Sequence, residues 1–452
     1  MGVLPGNFAD GEVCILGLGY VGLTLATVMA DVGFRVHGVE INDRIFDKLS
    51  VGQPHFFETG LDAMYRRVFE SGRLTVTRRI PEDCPATVHI ITVGTPLGEG
   101  GRARLDMVEG ISREIAARAR DGALVALRST VKIGTTRDVV APILAASGKG
   151  FDLAFCPERT VQGQALKELR ELPQIVGGMT TEAGLRAATM FQFLTPTVTR
   201  VSAPETAEVC KLVDNVSRDV MFAYANEVAK VCDAIGVSAV EVIRAGKLGY
   251  PRTNLPLPGP VSGPCLTKDP HILQQSLESR GVSLPITHWA RRSNEELVGD
   301  VVGSLKGLAA ATEGFPAAPT IAVMGLAFKG RPVTDDLRGS SVYDLLDALR
   351  AAWPAARLRG FDALVPRDGI EGLGLQPMAG MAEACQGADL VIIHNNHPLF
   401  ADMPVEALTG AMNKPGIFYD FWNHFDPAAV NVAKGTRYVA LGAAGIKNPA
   451  QE

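Results

Sequence analysis

Two parts of the chain alternate short apolar runs with amphipathic helical patterns. The first begins with Val13-Cys14-Ile15-Leu16, which ends in glycines and is followed by a helical pattern that reaches about Val32. Continuous apolar runs of this kind are typical of parallel strands that are buried on both faces. Further strands are predicted at residues 34–40, 87–93, 123–127, 153–155 and 174–176, and helices at 61–71, 107–119 and 181–193. The alternation predicts an α/β domain with a parallel sheet over residues 1–200.

The middle of the chain has two long helical patterns instead of this alternation. One runs from Pro204 to about Val240, with a break expected near Gly236, and the other runs from about Ile286 to Leu308. Their apolar positions exceed what one short bundle needs to bury. We therefore predict a central helical domain at residues 201–312 that forms a homodimer.

A second α/β unit follows a linker rich in alanine, glycine and proline at residues 310–319. Its strands are predicted at residues 320–325, 356–361, 390–393 and 416–420. The predicted fold class is therefore α/β, with two Rossmann-like domains built on parallel sheets and joined by the central helices. The last domain is expected to span residues 313–452.

Composition and charge narrow the classes of function. Hydrophobic residues make up 46% and charged residues 21%, as in an ordinary soluble globular protein, and the net charge of -5 argues against a nucleic-acid partner. The seven cysteines and eight histidines show no spacing typical of a metal site. Odd, unclustered cysteines indicate reduced thiols, so a cytoplasmic protein is expected. Neither a signal peptide nor an apolar run of about 18 residues is found, so no membrane association is expected.

The first predicted strand ends in a glycine-rich turn with the spacing of a dinucleotide site. Gly17 permits the tight turn, Gly19 lets the backbone approach a pyrophosphate, and Gly22 allows the helix to pack closely on the strand. Tyr20 and Val21 complete the motif at the N-terminus of the helix, where an anion binds. In this strand–turn–helix–strand context, the motif predicts a bound dinucleotide.

Glu40 identifies the dinucleotide. It ends the second predicted strand, 23 positions after Gly17, where an acid can bond a ribose 2′-hydroxyl. A 2′-phosphate would meet this carboxylate, so NAD is favoured over NADP. Arg44 is the opposing feature, because an arginine nearby can accept a phosphate. We expect Arg44 to face the adenosine or solvent, and we predict NAD as the cofactor.

Polar residues follow several of the predicted strands. Thr95, Ser129, Thr130 and the segment Pro157-Glu158-Arg159 all come directly after apolar runs. In an open parallel sheet, ligands bind outside the carboxyl ends of the strands. Each residue taken alone is equally consistent with an ordinary cap or turn. Together they predict one crevice that is shared with the glycine-rich turn.

Residues 259–270 form a segment rich in glycine and proline, which excludes a regular helix or strand. Its single thiol is Cys265, with Lys268 and Asp269 shortly after. A lone cysteine is usually a buried structural residue. Shaped loops on rigid elements are nevertheless where reactive residues are placed, so Cys265 is a candidate nucleophile.

Lys211 and Asn215 are four positions apart in the long helical pattern and share one face of it. Alternatively, Glu208 and Lys211 form a solvated ion pair.

The residues resemble the UDP-glucose/GDP-mannose dehydrogenase family over nearly the whole chain. The motifs that carry the resemblance are Gly17-Leu18-Gly19-Tyr20-Val21-Gly22-Leu23, Ser129-Thr130-Val131, Pro157-Glu158-Arg159, Lys211-Leu212-Val213-Asp214-Asn215, Gly263-Pro264-Cys265 with Lys268-Asp269, Gly325-Leu326-Ala327-Phe328-Lys329 and Thr334-Asp335-Asp336-Leu337-Arg338. The family has an N-terminal Rossmann domain, a helical dimer core and a C-terminal UDP-binding domain. The predicted order of domains agrees with this.

The resemblance implies a four-electron, NAD-dependent oxidation of the C6 hydroxyl of a UDP-sugar to a uronic acid. It assigns Cys265 as the nucleophile that forms a thiohemiacetal and then a thioester. Lys211 and Asn215 are expected to stabilise oxyanions, and Glu158 and Asp269 to manage water and protons. The residues implied for substrate binding are Arg159, Arg252, Asn254, Lys268, Lys329 and Arg338, with Arg252 reaching the site of a dimer partner.

The chain departs from the family pattern in four places near these motifs. Pro260 and Ser262 stand where the family usually has glycines. Ile133 and Ser341 each stand where a proline is usual. No catalytic group is lost, but the shape of the loop before Cys265 is expected to differ.

The segment Pro157-Glu158-Arg159 resembles the branch that acts on UDP-N-acetylhexosamines, because UDP-glucose enzymes usually continue with Phe. Arg159 offers fixed donors to an acetamido carbonyl or a sugar hydroxyl, unless it pairs with Glu168 or Glu171 instead. The prediction is UDP-N-acetylmannosamine or UDP-N-acetylglucosamine, with UDP-glucose as the alternative. Two other classes stay open: a single-step dehydrogenase, which would not need Cys265, and a nucleotide-sensing protein without turnover.

Overall fold

The computed structural model describes residues 4–446 and divides into two compact units. The N-terminal unit comprises the chain up to Asn215 together with Lys268–Ser283. The C-terminal unit comprises Val216–Thr267 and the chain from Leu284 onward. Each unit is built on one sheet.

The N-terminal unit contains an eight-stranded sheet in the order β3-β2-β1-β4-β5-β6-β7-β8. Its strands are β1 Glu12–Leu16, β2 Arg35–Val39, β3 Leu74–Thr77, β4 Val88–Ile91, β5 Ala123–Leu127, β6 Phe151–Phe155, β7 Gln174–Gly178 and β8 Val198–Val201. All neighbouring pairs are parallel except β6 and β7. The predicted parallel sheet thus contains one antiparallel pair. An antiparallel neighbour needs no crossover along a face of the sheet, and only one short helix lies between these strands.

Helices cover both faces of this sheet. They are α1 Tyr20–Val32, α2 Asp43–Ser50, α3 Leu61–Glu70, α4 Asp106–Arg118, α5 Ala141–Ala145, α6 Ala165–Glu171 and α7 Thr181–Phe191, with a π-helical turn at Thr136–Val140 and a 3₁₀ turn at Glu99–Gly101. Alternate residues of β1 point into two separate buried clusters: Val13 and Ile15 into one, Cys14 and Leu16 into the other. This explains why the strand is apolar at every position from Val13 to Leu16.

Long helices occupy the middle of the chain, as predicted. The two long helices are α8 Pro204–Ile235 and α11 Pro285–Ala311. Two short helices, α9 Ala239–Lys247 and α10 Asp269–Gln275, and a 3₁₀ turn at Glu278–Arg280 lie between them in the chain. The break expected near Gly236 is confirmed, since this residue has φ +74° and α8 ends just before it. Helix α11 continues to Ala311, so it takes in the start of the segment interpreted as a linker.

The C-terminal unit contains a six-stranded, wholly parallel sheet in the order β11-β10-β9-β12-β13-β14. Its strands are β9 Thr320–Met324, β10 Arg357–Phe361, β11 Gln376–Pro377, β12 Leu390–Ile393, β13 Gly416–Asp420 and β14 Thr436–Ala440. Its helices are α12 Val342–Ala352, α13 Arg367–Gly372, α14 Met381–Cys385 and α15 Val405–Gly410, with a 3₁₀ turn at Pro398–Phe400. The α/β class with two sheets and a central helical region is confirmed.

Candidate active site

The glycine-rich turn leaves its backbone open where a pyrophosphate would approach. A Cβ atom on Gly22 would lie 1.9 Å from the carbonyl oxygen of Gly17, whereas a Cβ on Gly19 would meet nothing within 4 Å. Gly17 itself has φ +94°, which a larger side chain rarely adopts. Helix α1 starts at Tyr20 without a side-chain cap, so its first N–H groups are available to an anion. This geometry fits a dinucleotide.

Glu40 follows β2 and is only 6% exposed. Its Oε2 accepts the N–H of Leu18 at 3.0 Å, and its Oε1 accepts the N–H of Asn42 at 2.8 Å. Each carboxylate oxygen keeps a second lone pair for a ribose hydroxyl. Arg44 lies on an exposed part of α2. Glu40 therefore holds the glycine-rich turn in place and keeps acceptor capacity that a ribose hydroxyl could use.

A hydrogen bond of Tyr20 connects the cofactor turn to the loop that contains Gly163, by way of Glu58. Its hydroxyl donates to the buried carboxylate of Glu58. Glu58 also accepts the N–H groups of Gly163 at 2.6 Å and Ala165 at 2.9 Å. Burial, followed by the bond to Glu58, raises the pKa of Tyr20 well above its ordinary value. No motif in the sequence indicated Glu58, because its partners lie 38 or more positions away.

Three candidate residues meet at the carboxyl ends of β4 and β5. The hydroxyl of Thr95 donates to the carbonyl of Thr130 at 2.5 Å, and the Ser129 hydroxyl donates to the carbonyl of Val93 at 2.6 Å. The ammonium of Lys268 donates to the Thr95 hydroxyl at 3.1 Å. Lys268, which the resemblance placed with the substrate, thus lies beside residues expected at the cofactor.

Glu158 is buried and held by four donors. Its Oε2 accepts Nε of Arg128 at 3.0 Å and Nη2 at 2.5 Å, and its Oε1 accepts the N–H groups of Arg159 at 2.8 Å and Thr160 at 2.7 Å. Burial alone would raise the pKa of Glu158, but the charge of Arg128, the donors of Thr160 and the charge of Lys211 outweigh it, so the pKa is below its ordinary value. Sequence reasoning missed Arg128, although it directly precedes Ser129-Thr130.

Arg159 pairs with Asp214 on α8, through Nε and Oδ2 at 2.9 Å. Neither carboxylate considered from the sequence, Glu168 or Glu171, is its partner among residues 4–446; Glu168 accepts the N–H of Val161 instead. The Arg159 side chain is 33% exposed, so the guanidinium also has a solvent-facing part.

Helix α8 presents two buried polar residues on one face. Lys211 and Asn215 are each 8% exposed. The amide of Asn215 donates to Oδ2 of Asp269, the first residue of α10, at 2.6 Å. Oδ1 of Asp269 is buried and has no hydrogen-bond donor in the described part of the chain, with the Lys268 ammonium at 4.0 Å. These groups could stabilise an oxyanion and accept a proton.

Glu208 has another role than the solvated ion pair considered for it. It is 1% exposed and accepts the N–H of Gly134 at 2.6 Å and the N–H and hydroxyl of Thr136 at 2.9 and 2.6 Å. Burial raises its pKa. The alternative of a solvated pair with Lys211 is therefore wrong: Glu208 caps the π-helical turn that begins at Thr136.

Cys265 lies in the C-terminal unit, in a segment without helix or strand, as expected. It is exposed, whereas the other six cysteines are buried or partly buried. The N–H of Gly259 donates to Oδ1 of Asn226 at 2.9 Å, and the carbonyl of Leu266 accepts Nη1 of Arg291 at 2.9 Å. Both ends of the Cys loop, residues 259–266, are therefore anchored.

The anchors belong to one buried polar cluster between α8 and α11. Arg291 and Asp219 form an ion pair at 2.7 Å, with side chains only 2% and 1% exposed. Asn294 donates to the carboxylate of Asp219 at 2.9 Å and accepts from the amide of Asn226 at 3.1 Å. The apolar periodicity of these helices gave no signal of this cluster.

The remaining candidates also lie in the C-terminal unit. The Lys329 ammonium lies over the ring of Phe328, 5.2 Å from its centre. Arg338 is 60% exposed and pairs with Asp336 at 2.7 Å. The Arg252 guanidinium lies 4.6 Å from the ring centre of Tyr250 and is exposed, as is Asn254. The structure thus brings Lys329 near the Cys loop, because Phe328 packs against Gly263, but leaves Arg252 and Asn254 on a surface segment.

In the described part of the chain, no group of three or more His, Cys, Asp or Glu side chains is arranged to hold a metal ion. Among residues 4–446, no helix is long and apolar enough to cross a membrane.

Comparison with known proteins agrees with this geometry. Models of the UDP-glucose/GDP-mannose dehydrogenase family match in three parts: the NAD binding domain over residues 11–195, the central domain over 205–296 and the UDP binding domain over 322–427.

Individual relatives cover most of the chain. It is similar to the UDP-N-acetyl-D-mannosamine dehydrogenase of Campylobacter jejuni, with 32% identity over 414 residues that cover 87% of this chain and 97% of that protein. It is similar to the NDP-N-acetyl-D-galactosaminuronic acid dehydrogenase of Ralstonia nicotianae, with 33% identity over 349 residues, 75% of this chain and 79% of that protein. The structure of UDP-D-ManNAc dehydrogenase from Pyrococcus horikoshii superposes with a TM-score of 0.85 at 29% identity, covering 96% of this chain and 100% of that one.

The resemblance inferred from the motifs is confirmed by these matches, and so is the choice of NAD. The UDP binding domain indicates a UDP-sugar as the substrate. The chain belongs to the UDP-glucose/GDP-mannose dehydrogenase family and is an NAD-dependent nucleotide-sugar dehydrogenase.

Proposed function

We propose that this enzyme oxidises the C6 hydroxyl of a UDP-sugar to a carboxylate in two steps, with Cys265 as the covalent nucleophile. The observation that carries the proposal is an exposed thiol on a loop whose two ends are anchored by buried polar side chains. A thiolate is a good nucleophile for an aldehyde and a tolerable leaving group from an acyl carbon. A single two-electron oxidation would need no such residue.

The C6 hydroxyl loses a proton and a hydride and becomes an aldehyde. The Cys265 sulfur then bonds to C6, and the carbonyl oxygen takes up a proton to give a thiohemiacetal. Loss of a second hydride and a proton leaves a thioester, which water cleaves to the uronic acid and the free thiol. NAD, when bound at the glycine-rich turn and Glu40, accepts the hydride of each oxidation.

Lys211 is the cation proposed to stabilise the oxyanions. Lys211 is 8% exposed, and its charge acts on the neighbouring Glu158. A largely buried cation is well suited to a negative charge that develops on the substrate. Asn215 would contribute the amide proton that Asp269 does not use.

The two carboxylates are proposed to have different roles. Glu158 already accepts four hydrogen bonds and has a lowered pKa, so it is a poor proton acceptor. Asp269 keeps Oδ1 free of donors among the described residues. We assign proton transfer with water to Asp269, and to Glu158 the placement of the loop that carries Arg159.

The test of the covalent step is the amount of NADH released per sugar. The wild type should release two NADH per uronic acid formed. Cys265→Ala should abolish acid formation and leave NAD binding intact, whereas Cys210→Ala, a matched change in a partly buried thiol, should leave turnover unchanged. Sustained acid formation by Cys265→Ala would overturn the proposal.

For the sugar we propose UDP-N-acetylmannosamine first and UDP-N-acetylglucosamine second. The relatives named above act on N-acetylated sugar nucleotides, as their names state. In addition, one third of the Arg159 side chain is exposed beside Asp214, so the pair offers both a donor and an acceptor to an acetamido group. A site built for such a group rejects analogues that lack it, because its polar atoms are then left unpaired.

The substrate assignment is tested by kcat/KM for these two sugars and UDP-glucose at saturating NAD. Arg159→Phe should lower kcat/KM for the N-acetylated sugars more than for UDP-glucose. If UDP-glucose is the best substrate and Arg159→Phe changes nothing, the assignment fails while the reaction class stands.

We further propose a homodimer built on the central helices. Large apolar side chains are exposed there: Tyr224 60%, Val231 55%, Ile235 67%, Ile286 73% and Trp289 61%. A specific dimer buries about 800 Å² on each partner, and this row of side chains is suited to it. Light scattering of Tyr224→Glu should show a shift from dimer to monomer.

We propose that residues 1–200 bind the cofactor, that residues 201–312 form the dimer and that residues 313–452 bind UDP. We further propose a reducing, cytoplasmic compartment, which suits seven unpaired thiols.

A further inference from the structure

A chain of hydrogen bonds links the Cys loop to the end of β12. The hydroxyls of Ser262 and Ser341 lie 2.6 Å apart, and the N–H of Ser341 donates to the Ser262 oxygen at 3.0 Å. The Ser341 hydroxyl lies 2.8 Å from Nε2 of His394, whose Nδ1 lies 2.8 Å from the carbonyl of Gly325. Ser341 and His394 are 6% and 1% exposed. Positions 262 and 341, two of the four at which the resemblance indicates a departure, are thus in direct contact.

The direction of every bond in this chain is determined. Burial lowers the pKa of His394 to about 4, so the ring is neutral. Only a protonated Nδ1 can bond the carbonyl of Gly325, so Nε2 is the acceptor for the Ser341 hydroxyl. The Ser341 oxygen then accepts the hydroxyl of Ser262. Each donor and each acceptor is used once, which is the condition for a buried polar network to be stable.

The side chain of Ser341 does not form the capping hydrogen bond that is usual at its position. It is the N-cap of α12, where a serine side chain normally accepts an N–H from the first turn of its own helix. Here it makes no such bond. The neighbouring Ser340 accepts the N–H of Val342 at 3.2 Å instead. The Ser341 side chain is therefore committed to Ser262 and His394.

The segment that contains Ser341 touches the Cys loop closely. The N–H of Gly263 donates to the carbonyl of Gly339 at 2.6 Å, and a Cβ on Gly339 would lie 2.9 Å from the carbonyl carbon of Gly263. A Cβ on Gly259 would lie 2.8 Å from the ring of Trp422, whose indole N–H donates to the carbonyl of His394. With so little free space, a shift of Ser341 moves Gly263, two residues before Cys265.

The two serines are matched to each other. A glycine at position 262 would leave the N–H of Ser341 without its acceptor. A proline at position 341 would remove that N–H and leave the buried Nε2 of His394 without its donor. Each single reversion to the family pattern therefore strands buried polar groups, whereas both together remove the donor and the acceptor of the direct contact.

We propose that Ser262, Ser341 and His394 are positioning residues that hold the Cys loop in the conformation used for thiol chemistry. The resemblance implies a glycine at position 262 and a proline at position 341, and this chain has a serine at both. The part of this inference that concerns turnover rests on the proposed role of Cys265.

The test combines amide hydrogen exchange of the Cys loop with kinetics. Ser262→Ala and Ser341→Ala should each speed exchange of the 259–266 amides about tenfold and lower kcat about tenfold, since each removes two hydrogen bonds and leaves a buried group without its partner. KM for NAD should stay unchanged. The effect of the double variant should be smaller than the sum of the two single effects, because both single variants lose the same contact between the two hydroxyls. Ser262→Thr, which keeps the hydroxyl, should retain wild-type exchange.

Ser340→Ala is the matched control. Ser340 is buried like Ser341, at 3%, but its hydroxyl bonds no residue of the Cys loop: it donates to the carbonyl of Leu326 at 2.8 Å and accepts the N–H of Val342. It should leave exchange of the Cys loop unchanged. Additive effects of Ser262→Ala and Ser341→Ala, or unchanged kcat in both, would overturn the inference. Hydrogen exchange is measured without turnover, so it tests the positioning role separately from the chemistry. If the serine variants change exchange as expected but the wild type releases only one NADH per sugar, the covalent role of Cys265 is overturned and the positioning role is not.

Discussion

The buried ion pair of Arg291 and Asp219 supports the strongest stability prediction. Arg291→Met keeps the length and the apolar stem of the side chain and removes its charge. It leaves the carboxylate of Asp219 buried without the Arg291 cation, and it leaves the carbonyl of Leu266 without its donor. Both losses fall on groups that the surrounding helices exclude from water.

The magnitude follows from these two losses. Removing one partner of a buried ion pair costs about 3–5 kcal/mol, and leaving a buried carbonyl unpaired costs about 1–3 kcal/mol. The two are not additive, because Arg291 makes both contacts with one nitrogen. We expect a loss of about 4 kcal/mol. In a unit of this size, 1 kcal/mol shifts the melting temperature by about 2–4 °C, so a decrease of about 8–16 °C is expected.

Differential scanning calorimetry of the full chain measures this decrease, and the next residue provides the control. Arg292 lies on the same helix and pairs with Glu296 at 2.7 Å, but both side chains are more than half exposed, at 57% and 51%. Exposed pairs of this spacing contribute about 0.3–0.5 kcal/mol. Arg292→Met should therefore lower the melting temperature by less than about 2 °C.

Equal melting temperatures for the two variants would refute the reasoning, because burial would then have no influence on the cost. A large decrease without faster exchange of the 259–266 amides would retain the stability argument. It would, however, show that Leu266 does not depend on Arg291 for its position.

Two further predictions concern the cofactor turn and the response to acid. Glu40→Ala should raise KM for NAD at least about tenfold and narrow the preference over NADP, as measured by initial rates with both; a wild type that uses both equally would contradict the ribose assignment. His89 is 1% exposed, neither ring nitrogen has a partner within residues 4–446, and burial lowers its pKa to about 4. Since this folded pKa lies below the unfolded value, the neutral ring contributes fully to the free energy of unfolding above pH 6.5, and this contribution is lost as pH falls towards 4. Between pH 7.5 and 5.0 the free energy of unfolding of the wild type should fall by about 2 kcal/mol more than that of His89→Phe, as measured by urea unfolding. The same pH dependence in both proteins would count against this prediction.

Local spacing was enough to predict the cofactor turn. The glycines and Glu40 lie within 24 positions, and a strand, a tight turn and a helix each leave a mark on neighbouring residues. The long helices and the irregular Cys loop were predictable for the same reason. The motifs of the resemblance added Lys211, Asn215 and Asp269, which helical periodicity alone could not connect.

The residues that hold these groups in place were not predictable. Arg128 and Glu158 are 30 positions apart, Ser262 and Ser341 are 79, and Gly163 and Glu58 are 105. No periodic pattern spans such distances, because the partners meet only after the sheets have formed. Burial also changes the meaning of a side chain: Glu208 resembled a surface acid in the sequence and is a buried cap in the structure.

The double use of Glu40 restricts how the cofactor preference of this protein can evolve. To admit a 2′-phosphate, the carboxylate has to be replaced, but the N–H groups of Leu18 and Asn42 then lose their acceptor. A single substitution thus weakens the old cofactor before it favours the new one. At least two coordinated changes are needed, one to supply an acceptor for the turn and one to supply a cation, for which Arg44 is already at the surface. If the predicted ribose contact of Glu40 holds, the hydrogen bonds of the turn preserve the use of NAD as much as the charge of this one residue does.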